Sequence, residues 1–508
     1  MEAANTPKPV TYVRRRPELT PCYRILQNHL NTFISDRDRE GRPLPSYVIK
    51  EFDAFLECGI PAYGCLRLVC KSCQKEQVVA FSCKKRGFCP SCCAKRQVEA
   101  AAHLVDHVLP MTPYRQFVVT FPIPMRYWLH SNKELFSKVY RIIIKEIHSY
   151  YKTKAFAAGV KDPKSGAISF TQLAGSALNL NPHLHILFCD GVFSGINQDG
   201  AETFRFRNLE AITDKEVEKI LLEISSKVLK LLKKHGYLNH EGEMVNHPLS
   251  DSLFRDHESL AMATSSSIVG TIAFGPNAGQ KVTRIGSGFG YYEEIPLAKG
   301  HRCFSINGFS LHANTSTNTL ARDSLRKLVE YISRGPLSNE RLEITESGQV
   351  KLKLKTAYSD GTSHLLFTPG EFIEKLSAII PPSKSHLVKW SGFFAPNSPC
   401  RSKIVLKPEE KKVRPVKSDC AYQSPLKNSS WGKMLAKVFE IDVTQCQHCK
   451  GEMSIVAAII KPSEVARYLK HLGIEHEPPA RAPPRYQQEP FEFGSTDDLY
   501  ESMPTIDD

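Results

Sequence analysis

The stretch "LNLNPHLHILFCDGV", residues 178–192, carries two histidines one residue apart in a segment that otherwise predicts a buried β-strand. Side chains at positions i and i+2 of a strand point to the same face. His183 and His185 would therefore project together from one side, while the alternating apolar side chains pack on the other. Such a pair can bind a metal that serves chemistry, or it can be a polar face turned toward solvent.

The composition predicts a multidomain globular protein with a polyanionic partner. A chain of 508 residues is too long for one core and favours two to four domains. The hydrophobic fraction of 41% and the charged fraction of 24% are typical of globular chains. The formal net charge of +14 favours a nucleic-acid partner.

Targeting signals are not visible in the sequence. The first twenty residues lack the apolar core of a signal peptide, and no apolar run reaches the roughly 20 residues that a membrane span needs. We therefore expect no membrane partner and a cytoplasmic protein, associated with the nucleoid if DNA is bound. In a reducing compartment the 15 cysteines are expected to be thiols or metal ligands rather than disulfides.

Hydrophobic periodicity around the histidines predicts the order β-α-β-β-β-α, once a long insertion is set aside. This order favours an α+β fold with an antiparallel sheet and helices on one face. The predicted elements are strands at 115–121, 167–173, 183–189 and 304–313, with helices at 132–152, 214–236 and 319–333.

Shifts in composition divide the chain into segments. Residues 401–418 carry seven Lys or Arg against two Glu, and the last 23 residues carry seven acids and no Lys or Arg. The predicted segments are a disordered N-terminus (1–16), a zinc-binding domain (17–110), a catalytic domain (111–345, with an insertion at about 194–300), a strand-rich accessory segment (346–400), a basic linker (401–425), a small C-x2-C module (426–475) and an acidic disordered tail (476–508).

Two C-x2-C knuckles, "CKSC" and "CPSC", are separated by 15 residues. That spacing predicts one tetrahedral zinc site made by Cys70, Cys73, Cys89 and Cys92, because each knuckle presents two thiolates and the loop between them closes on the ion. Three further cysteines of this region are alternative ligands: Cys83, Cys65 and Cys93.

Basic residues surround the second knuckle and are either contacts to DNA phosphates or solvated charges. They are Lys84, Lys85, Arg86, Lys95 and Arg96. Near the C-terminus, "CQHC" is a lone half-site. Cys446 and Cys449 either bind a second zinc ion with ligands that the sequence does not identify, or are structural thiols.

Tyr331 stands in "LRKLVEYISRGPLSNERL", near the end of a helix that Gly335 and Pro336 terminate. It lies at the edge of the apolar stripe, with Lys327 one turn earlier. A tyrosine hydroxyl can attack a DNA phosphodiester and hold the broken end as a phosphotyrosine ester. From the residues alone, a tyrosine that only packs is the favoured interpretation.

Seven blocks in order resemble the rolling-circle insertion-sequence transposases of bacteria, which belong to the HUH endonuclease superfamily. The resemblance covers residues from about 17 to 475, in the blocks "VAFSCKKRGFCPSC", "AAAHLVDHVLP", "GSALNLNPHLHILFCDGVF", "GFSLHA", "YISRGPLSNERL", "DGTSHLLFTPGEFIEKLSAIIPP" and "WGKMLAKVFEID" with "CQHCKGEM". It implies a ferredoxin- or RRM-like HUH nuclease sheet preceded by a small helical zinc-binding domain.

The resemblance also implies roles for individual residues. His183 and His185 match the ligands of a catalytic Mg²⁺ or Mn²⁺ ion, Tyr331 matches the nucleophile, and the two knuckles with Cys83 match the zinc-binding block. The third metal ligand stays open between Asn181, Gln172 and His312.

The number of nucleophilic tyrosines is a point of departure. Lys327 stands where two-tyrosine relatives carry a second tyrosine, so the chain resembles the single-tyrosine branch. The pairs Tyr150–Tyr151 and Tyr291–Tyr292 could offer a second nucleophile but match no family position.

The implied function is nicking and rejoining of single-stranded DNA at insertion-sequence ends through a 5′-phosphotyrosine, in rolling-circle transposition. The expected partners are single-stranded or hairpin DNA ends, and Lys327 and Arg334 join the candidate DNA contacts. One alternative is a plasmid replication initiator or relaxase, which the zinc knuckles and the missing phosphate-loop motif disfavour. Another is a non-enzymatic zinc-dependent DNA-binding protein whose histidines are structural.

Overall fold

A computed structural model of the chain describes residues 14–198, 201–245, 252–286, 300–405 and 445–485. The first residues of the predicted N-terminal tail, nearly all of the basic linker and most of the acidic tail lie outside the described residues. So does the Tyr291–Tyr292 pair.

The N-terminal part is a helical domain with an inserted hairpin. Its first helix begins after Thr20, whose side chain accepts a hydrogen bond from the backbone N–H of Tyr23. The elements are α1 (Pro21–Arg39), α2 (Ser46–Glu57), β1 (Cys65–Cys70), β2 (Glu76–Ala80) and α3 (Pro90–His107).

The central part contains the histidine strand and the long helix that the periodicity predicts. Asn132 caps that helix by accepting from the N–H of Leu135. The elements in chain order are β3 (Tyr114–Thr120), α4 (Ile123–Ser131), α5 (Lys133–Ala157), β4 (Gly166–Ala174), β5 (Leu180–Cys189), β6 (Gly191–Gln198), β7 (Ala201–Asn208), α6 (Asp214–Lys234), α7 (Ser252–Asp256), α8 (Glu258–Val269) and β8 (Thr283–Ile285).

The remaining elements return to the sheet and then to the N-terminal domain. They are β9 (Cys303–Ile306), β10 (Phe309–His312), β11 (Ser316–Thr317), α9 (Arg322–Ser333), β12 (Leu342–Ile344), β13 (Val350–Lys353), β14 (His364–Phe367), α10 (Pro369–Ile379), β15 (Val388–Gly392), α11 (Arg401–Ile404), β16 (Met453–Ile459) and α12 (Pro462–His471).

The main sheet confirms the predicted α+β fold with an antiparallel sheet. Its strands lie in the order β15-β4-β5-β3-β10-β9, and β11 also pairs with β3. The histidine strand β5 lies between β4 and β3 and pairs antiparallel with both. The site is therefore built on an inner strand, where both neighbours fix its register.

Helices cover both faces of this sheet, whereas the sequence predicted helices on one face. Leu184, Ile186 and Phe188 pack beneath α5 and α6, as the alternation predicts. The opposite face carries the histidines near the start of β5, but it is apolar near the end of the strand, where Leu187 and Cys189 are fully buried. Helices α3 and α9 cover this apolar part. The alternation of polar and apolar residues in β5 thus ends after His185, and both faces of the strand are apolar beyond that point. A pattern of strict alternation therefore predicts only one of the two apolar faces.

The predicted strand 304–313 is a hairpin of β9 and β10 rather than one strand. Asn307 and Gly308 have φ of 51° and 76° and form its two-residue turn. Both turn positions need positive φ, which Asn and Gly adopt at low cost.

The segment predicted as accessory contributes to two sheets. Strands β12, β13 and β14 form a four-stranded sheet with β8 of the insertion, and β15 forms an edge of the main sheet. Strand β16, far along the chain, pairs with β1 in a three-stranded sheet. No helix among the described residues is long and apolar enough to cross a bilayer.

Candidate active site and cysteine clusters

The two histidines lie side by side on one face of β5. His183 is paired with Gln172 on β4, and His185 is paired with Phe170 on the same strand. The two imidazole centroids are 5.0 Å apart. An inner strand and its two neighbours therefore present both rings to the same space.

Each ring has its Nδ1 occupied by the protein. His183 Nδ1 lies 2.6 Å from the backbone carbonyl oxygen of Asn181, to which it donates. His185 Nδ1 lies 2.6 Å from Nε2 of the buried Gln116 side chain. The two ends of an amide have the same shape, and a half-turn of Gln116 brings its oxygen to the ring, so that Nδ1–H donates to it. In that orientation both Nε2 lone pairs are free, which is the arrangement that metal-binding histidines have.

Burial keeps both imidazoles uncharged. It lowers the pKa of His183, and it lowers the pKa of His185 to about 3, with His183, Arg334 and Lys355 adding to the effect. A neutral imidazole is the form that binds a metal, because the proton and the ion compete for the same lone pair. Both rings are thus ready as ligands at neutral pH.

Helix α9 places Tyr331 over the histidines. Its ring centroid is 5.9 Å from that of His185, and the two rings are nearly perpendicular at 88°. Tyr331 is 46% exposed, although the apolar side of its helix is buried. The helix end is held to the sheet because Gln172 Nε2 donates to the carbonyl oxygen of Ile332 at 2.8 Å. The structure therefore brings together the three residues that the sequence singled out.

Positive charge is concentrated beside the tyrosine. The guanidinium carbon of Arg334 lies 4.2 Å from the Tyr331 ring centroid, and its buried Nε has no hydrogen-bond partner in the described protein. Burial, together with the nearby Arg334 and Arg341, lowers the pKa of Lys355 to about 8. Neighbouring cations that repel one another suit a site for an anion such as a phosphate.

The three candidates for a further metal ligand are placed differently. Asn181 Oδ1 is buried and has no hydrogen-bond partner among the described residues. Gln172 uses its amide nitrogen on α9. His312 is paired with Val118 on the far side of β3. Among the described residues, no His, Cys, Asp or Glu completes a three-ligand group with the pair. Asn181 is therefore the candidate whose side-chain oxygen is buried without a partner among the described residues, while Gln172 keeps its amide oxygen.

A cavity of about 290 Å³ lies beside the end of α9, between the cysteine-rich loop, the edge of the main sheet and the turn after the helix. Its polar and charged lining includes Arg86, Arg96, Gln172, Arg334, Lys355 and His386. One wall therefore comes from the zinc-binding region and the other from β4 and the turn that follows Tyr331, while Tyr331 and the two histidines do not line the cavity themselves.

The predicted single zinc site from both knuckles is wrong in its grouping. The structure separates the knuckles into two clusters, in which all ligand atoms lie within 4.8 Å of one another. The reason is the β1–β2 hairpin. Cys70 lies at its turn, whereas β2 ends at Ala80, which is paired with Cys65 at the other end of the hairpin, and the second knuckle follows from there. A five-residue strand of about 17 Å thus separates the knuckles. The clusters are Cys58, Cys83, Cys89 and Cys92, and Cys70, Cys73, Cys446 and Cys449.

The first cluster has the dimensions of a zinc site. The Sγ of Cys92 lies 3.6 Å from that of Cys58 and 3.3 Å from that of Cys83, and the Sγ atoms of Cys58 and Cys89 are 3.9 Å apart. Zn–S bonds of about 2.3 Å put tetrahedral sulfurs roughly 3.8 Å apart. Cys83 was an alternative ligand in the sequence, but Cys58 was missed. It stands alone in "LECGIP", and no spacing pattern marks it.

The basic residues around this cluster have different roles. Arg96 donates to the backbone carbonyls of Lys84 and Lys85 and so holds the loop. Lys85 is paired with Glu51, and Lys95 with Glu99, each at 3.8 Å. Lys84 and Arg86 are exposed, as is Lys327 one turn before Tyr331. These three are the clearest candidates for contact with DNA phosphates.

Two stretches of the chain match known protein families. Residues 166–402 match a family described as "Putative transposase", and residues 25–121 match a transposase zinc-binding domain. Together the two matches cover about two thirds of the chain. No curated protein and no solved structure matches it.

Proposed function

The chain belongs to the IS91 family of transposases, and from this premise we propose that it cuts single DNA strands through Tyr331. A transposase binds and cuts DNA, and its zinc-binding domain carries structural Zn²⁺. The observation that carries the finer proposal is the position of Tyr331 beside His185, at a ring distance of 5.9 Å on the polar end of the main sheet.

In the proposed cleavage step, Tyr331 Oη attacks the scissile phosphorus. A bond forms between Oη and phosphorus, the bond from phosphorus to the 3′ oxygen breaks, and the phenolic proton passes to solvent. The leaving oxygen takes up a proton and becomes a free 3′-OH. The phosphotyrosine ester conserves the energy of the broken bond, so a 3′-OH at the target can displace the tyrosine without ATP.

The histidine pair fits a divalent cation. His183 and His185 would hold Mg²⁺ or Mn²⁺ through Nε2, with Asn181 Oδ1 as a further ligand. A bound ion of this kind polarises the phosphate and stabilises the leaving oxygen. The protein itself fixes both rings through their Nδ1 contacts, so the ligands need not reorganise when the ion binds.

Arg334 and Lys355 would bind the scissile phosphate. Arg334 is next to the Tyr331 ring, so it also stabilises the phenolate that forms during attack. The exposed Lys84 and Arg86 would hold the adjoining strand, and the cavity lined by Arg86, Arg96 and Arg334 would take it. We propose a single strand or hairpin end as the substrate because attack by one tyrosine breaks one strand.

A cleavage assay tests this function. Oligonucleotides from both flanks of the gene, as single strands and as duplexes, are incubated with the full chain and Mg²⁺, Mn²⁺ or a chelator. We expect cleavage of the single strand at one flank, only with a divalent ion. Cleavage that persists in chelator, or that prefers the duplex, would contradict the proposal.

A variant of His185 distinguishes the loss of the candidate metal site from a general loss of folding or DNA binding. His185→Ala is expected to lower cleavage at least 100-fold, while binding of the oligonucleotide persists. The matched control is His240→Ala, since His240 is exposed beyond α6. Equal loss in both variants would assign no special role to His185.

A further inference from the structure

The second cysteine cluster joins parts of the chain that are far apart in sequence. Cys70 and Cys73 come from the turn of the β1–β2 hairpin, and Cys446 and Cys449 come from a loop 373 residues later. Cys70 Sγ lies 3.4 Å from Cys449 Sγ, and Cys73 Sγ lies 3.6 Å from Cys446 Sγ. These separations are near the roughly 3.8 Å of a tetrahedral four-sulfur zinc site.

The two C-x2-C segments have the same backbone turn. In each segment, the N–H of the first cysteine donates to the carbonyl oxygen of the residue five positions later. The N–H of the residue four positions later donates to the carbonyl oxygen of the first cysteine. The residue four positions on has positive φ in both, 59° at Gln74 and 62° at Lys450. The equivalent residues are Cys70, Gln74 and Lys75 in one segment and Cys446, Lys450 and Gly451 in the other. Both segments are therefore preformed to present two sulfurs to one point.

The two turns are packed directly against each other. The N–H of Lys71 donates to the carbonyl oxygen of Glu452 at 2.9 Å, next to the β1–β16 ladder. A Cβ on Gly451 would lie 2.5 Å from Ser72 Oγ and 3.1 Å from Cys449 Sγ. Glycine at 451 is thus what allows the close approach of the two cysteine pairs.

The apolar core directly beneath the cluster is small, and the other buried apolar side chains of this segment, Val465 and Leu469, pack in the separate core of the N-terminal domain. The buried members of the small core in the described residues are Leu68, Cys70, Val79, Cys446 and Met453. Small units with so little apolar burial generally need a disulfide or a structural metal. Four mutually close sulfurs that receive backbone N–H groups, as Cys449 Sγ does from Gly451 at 3.4 Å, favour thiolates bound to a metal, whose binding energy becomes folding energy.

We propose that Cys70, Cys73, Cys446 and Cys449 bind a second zinc ion, which fastens residues 445–485 to the N-terminal domain. The zinc-binding family match ends at residue 121 and includes only half of this cluster. The ion would act with the contacts that the same segment makes elsewhere. Tyr468 Oη donates to Glu76 at 2.7 Å, and Arg481 pairs with Asp53 at 2.6 Å. The proposal does not depend on the role of Tyr331.

Metal analysis of the purified full chain tests the stoichiometry. We expect two zinc ions per chain in the wild type and one in Cys449→Ser, which is exposed and leaves the core intact. Cys58→Ser should also retain one. Cys400→Ser, outside both clusters, should retain two. One zinc ion in the wild type, or two in Cys449→Ser, would overturn the proposal. Disulfides that join these cysteines in protein purified in the presence of a reductant would overturn it as well.

Cobalt substitution gives a second measurement that unfolding alone would not mimic. The intensity of the thiolate-to-cobalt absorption should fall by half in Cys449→Ser, and the remaining spectrum should keep its tetrahedral four-sulfur form. An unchanged intensity in Cys449→Ser would contradict the second site.

A cleavable chain tests the fastening role. A specific protease site is inserted between residues 406 and 444, and the cut protein is passed over a sizing column. With zinc the C-terminal fragment should elute with the rest, and with chelator, or in Cys449→Ser, it should separate. Elution together after the metal is removed, or separation while zinc is bound, would overturn this role.

Discussion

At the scale of single residues, the candidate site depends on how each histidine is oriented. A backbone carbonyl fixes His183, but a side chain, Gln116, fixes His185. Gln116 is buried on β3 and faces the same side as both rings. A buried amide that contacts a metal-binding ring selects its tautomer and its angle. Gln116 is therefore a positioning residue, which acts on the reaction only through His185.

Replacing Gln116 tests that role. Gln116→Ala should raise the Mn²⁺ concentration needed for half-maximal cleavage by 10- to 100-fold, because His185 loses the acceptor that frees its Nε2. Gln116→Glu keeps an acceptor and should restore much of the metal affinity. A metal titration of the cleavage rate measures both. If both variants lose rate equally at saturating Mn²⁺, with unchanged metal affinity, the positioning role is contradicted.

At the scale of elements, the packing of α9 on α3 connects the nucleophile to the zinc-binding domain. Arg326 pairs with Asp106 at 3.2 Å, and Arg322 donates to carbonyls at the end of α3. The turn after α9 contacts the start of α3, where a Cβ on Gly335 would lie 2.4 Å from Cys93 Cβ. The position of Tyr331 thus depends on the segment that carries the first cysteine cluster.

A methyl group at this contact should displace the end of α9. Gly335→Ala is expected to cost about 1–3 kcal/mol in stability and to lower cleavage at least tenfold, while zinc content stays unchanged. Thermal unfolding and the cleavage assay measure the two effects. Gly370→Ala is the matched control, since a Cβ there meets no atom within 4 Å. Full cleavage by Gly335→Ala would show that this contact does not position Tyr331.

The sequence predicted the elements better than the contacts between them. Periodicity placed β5 and α9 within a few residues, because each carries a regular apolar pattern along one segment. The partner of "CQHC" could not be found, since it lies 373 residues away and joins only through tertiary structure. Cys58 was missed because it stands alone, with no neighbouring cysteine to form a spacing pattern. The Asn307–Gly308 pair is a typical two-residue hairpin turn, which the prediction of one strand at 304–313 did not take into account.

At the scale of the whole molecule, the chain returns to its own N-terminal domain. Strand β16 and helix α12 lie against the β1–β2 hairpin and residues 61–63, and Gln27 and Asn31 on α1 donate to carbonyls at 480 and 482. The main sheet also receives β15 from beyond α10. Segments from distant parts of the chain therefore contribute to the stability of the main sheet, and groups buried on it contribute to its unfolding transition.

Buried histidines should make that transition depend on pH. Burial lowers the pKa of His130 and of His148 to about 4, below the 6.5 of the unfolded state. The unfolded chain then binds more protons, so stability is complete above pH 6.5 and falls as the pH drops toward 4. By pH 4 each group has lowered the free energy of unfolding by on the order of 3 kcal/mol.

Urea unfolding at pH 7.5 and 5.0 measures this dependence. In His148→Gln, which keeps polar atoms near Ser165 and Ser391, the difference between the two pH values should shrink. His240→Gln, at an exposed position, should leave it unchanged. A stability that rises between pH 7.5 and 5.0 would contradict the account.

The central claim is that Tyr331 becomes covalently joined to a 5′ phosphate, and peptide mapping of the trapped complex tests it most directly. Full-length protein is reacted with the cleaved single strand and a divalent ion, digested with nuclease and protease, and analysed by mass spectrometry. The account predicts a nucleotide phosphate on Tyr331, and no covalent complex with Tyr331→Phe although the DNA is still bound. A phosphate on another residue, or a covalent complex that persists in Tyr331→Phe, would contradict it.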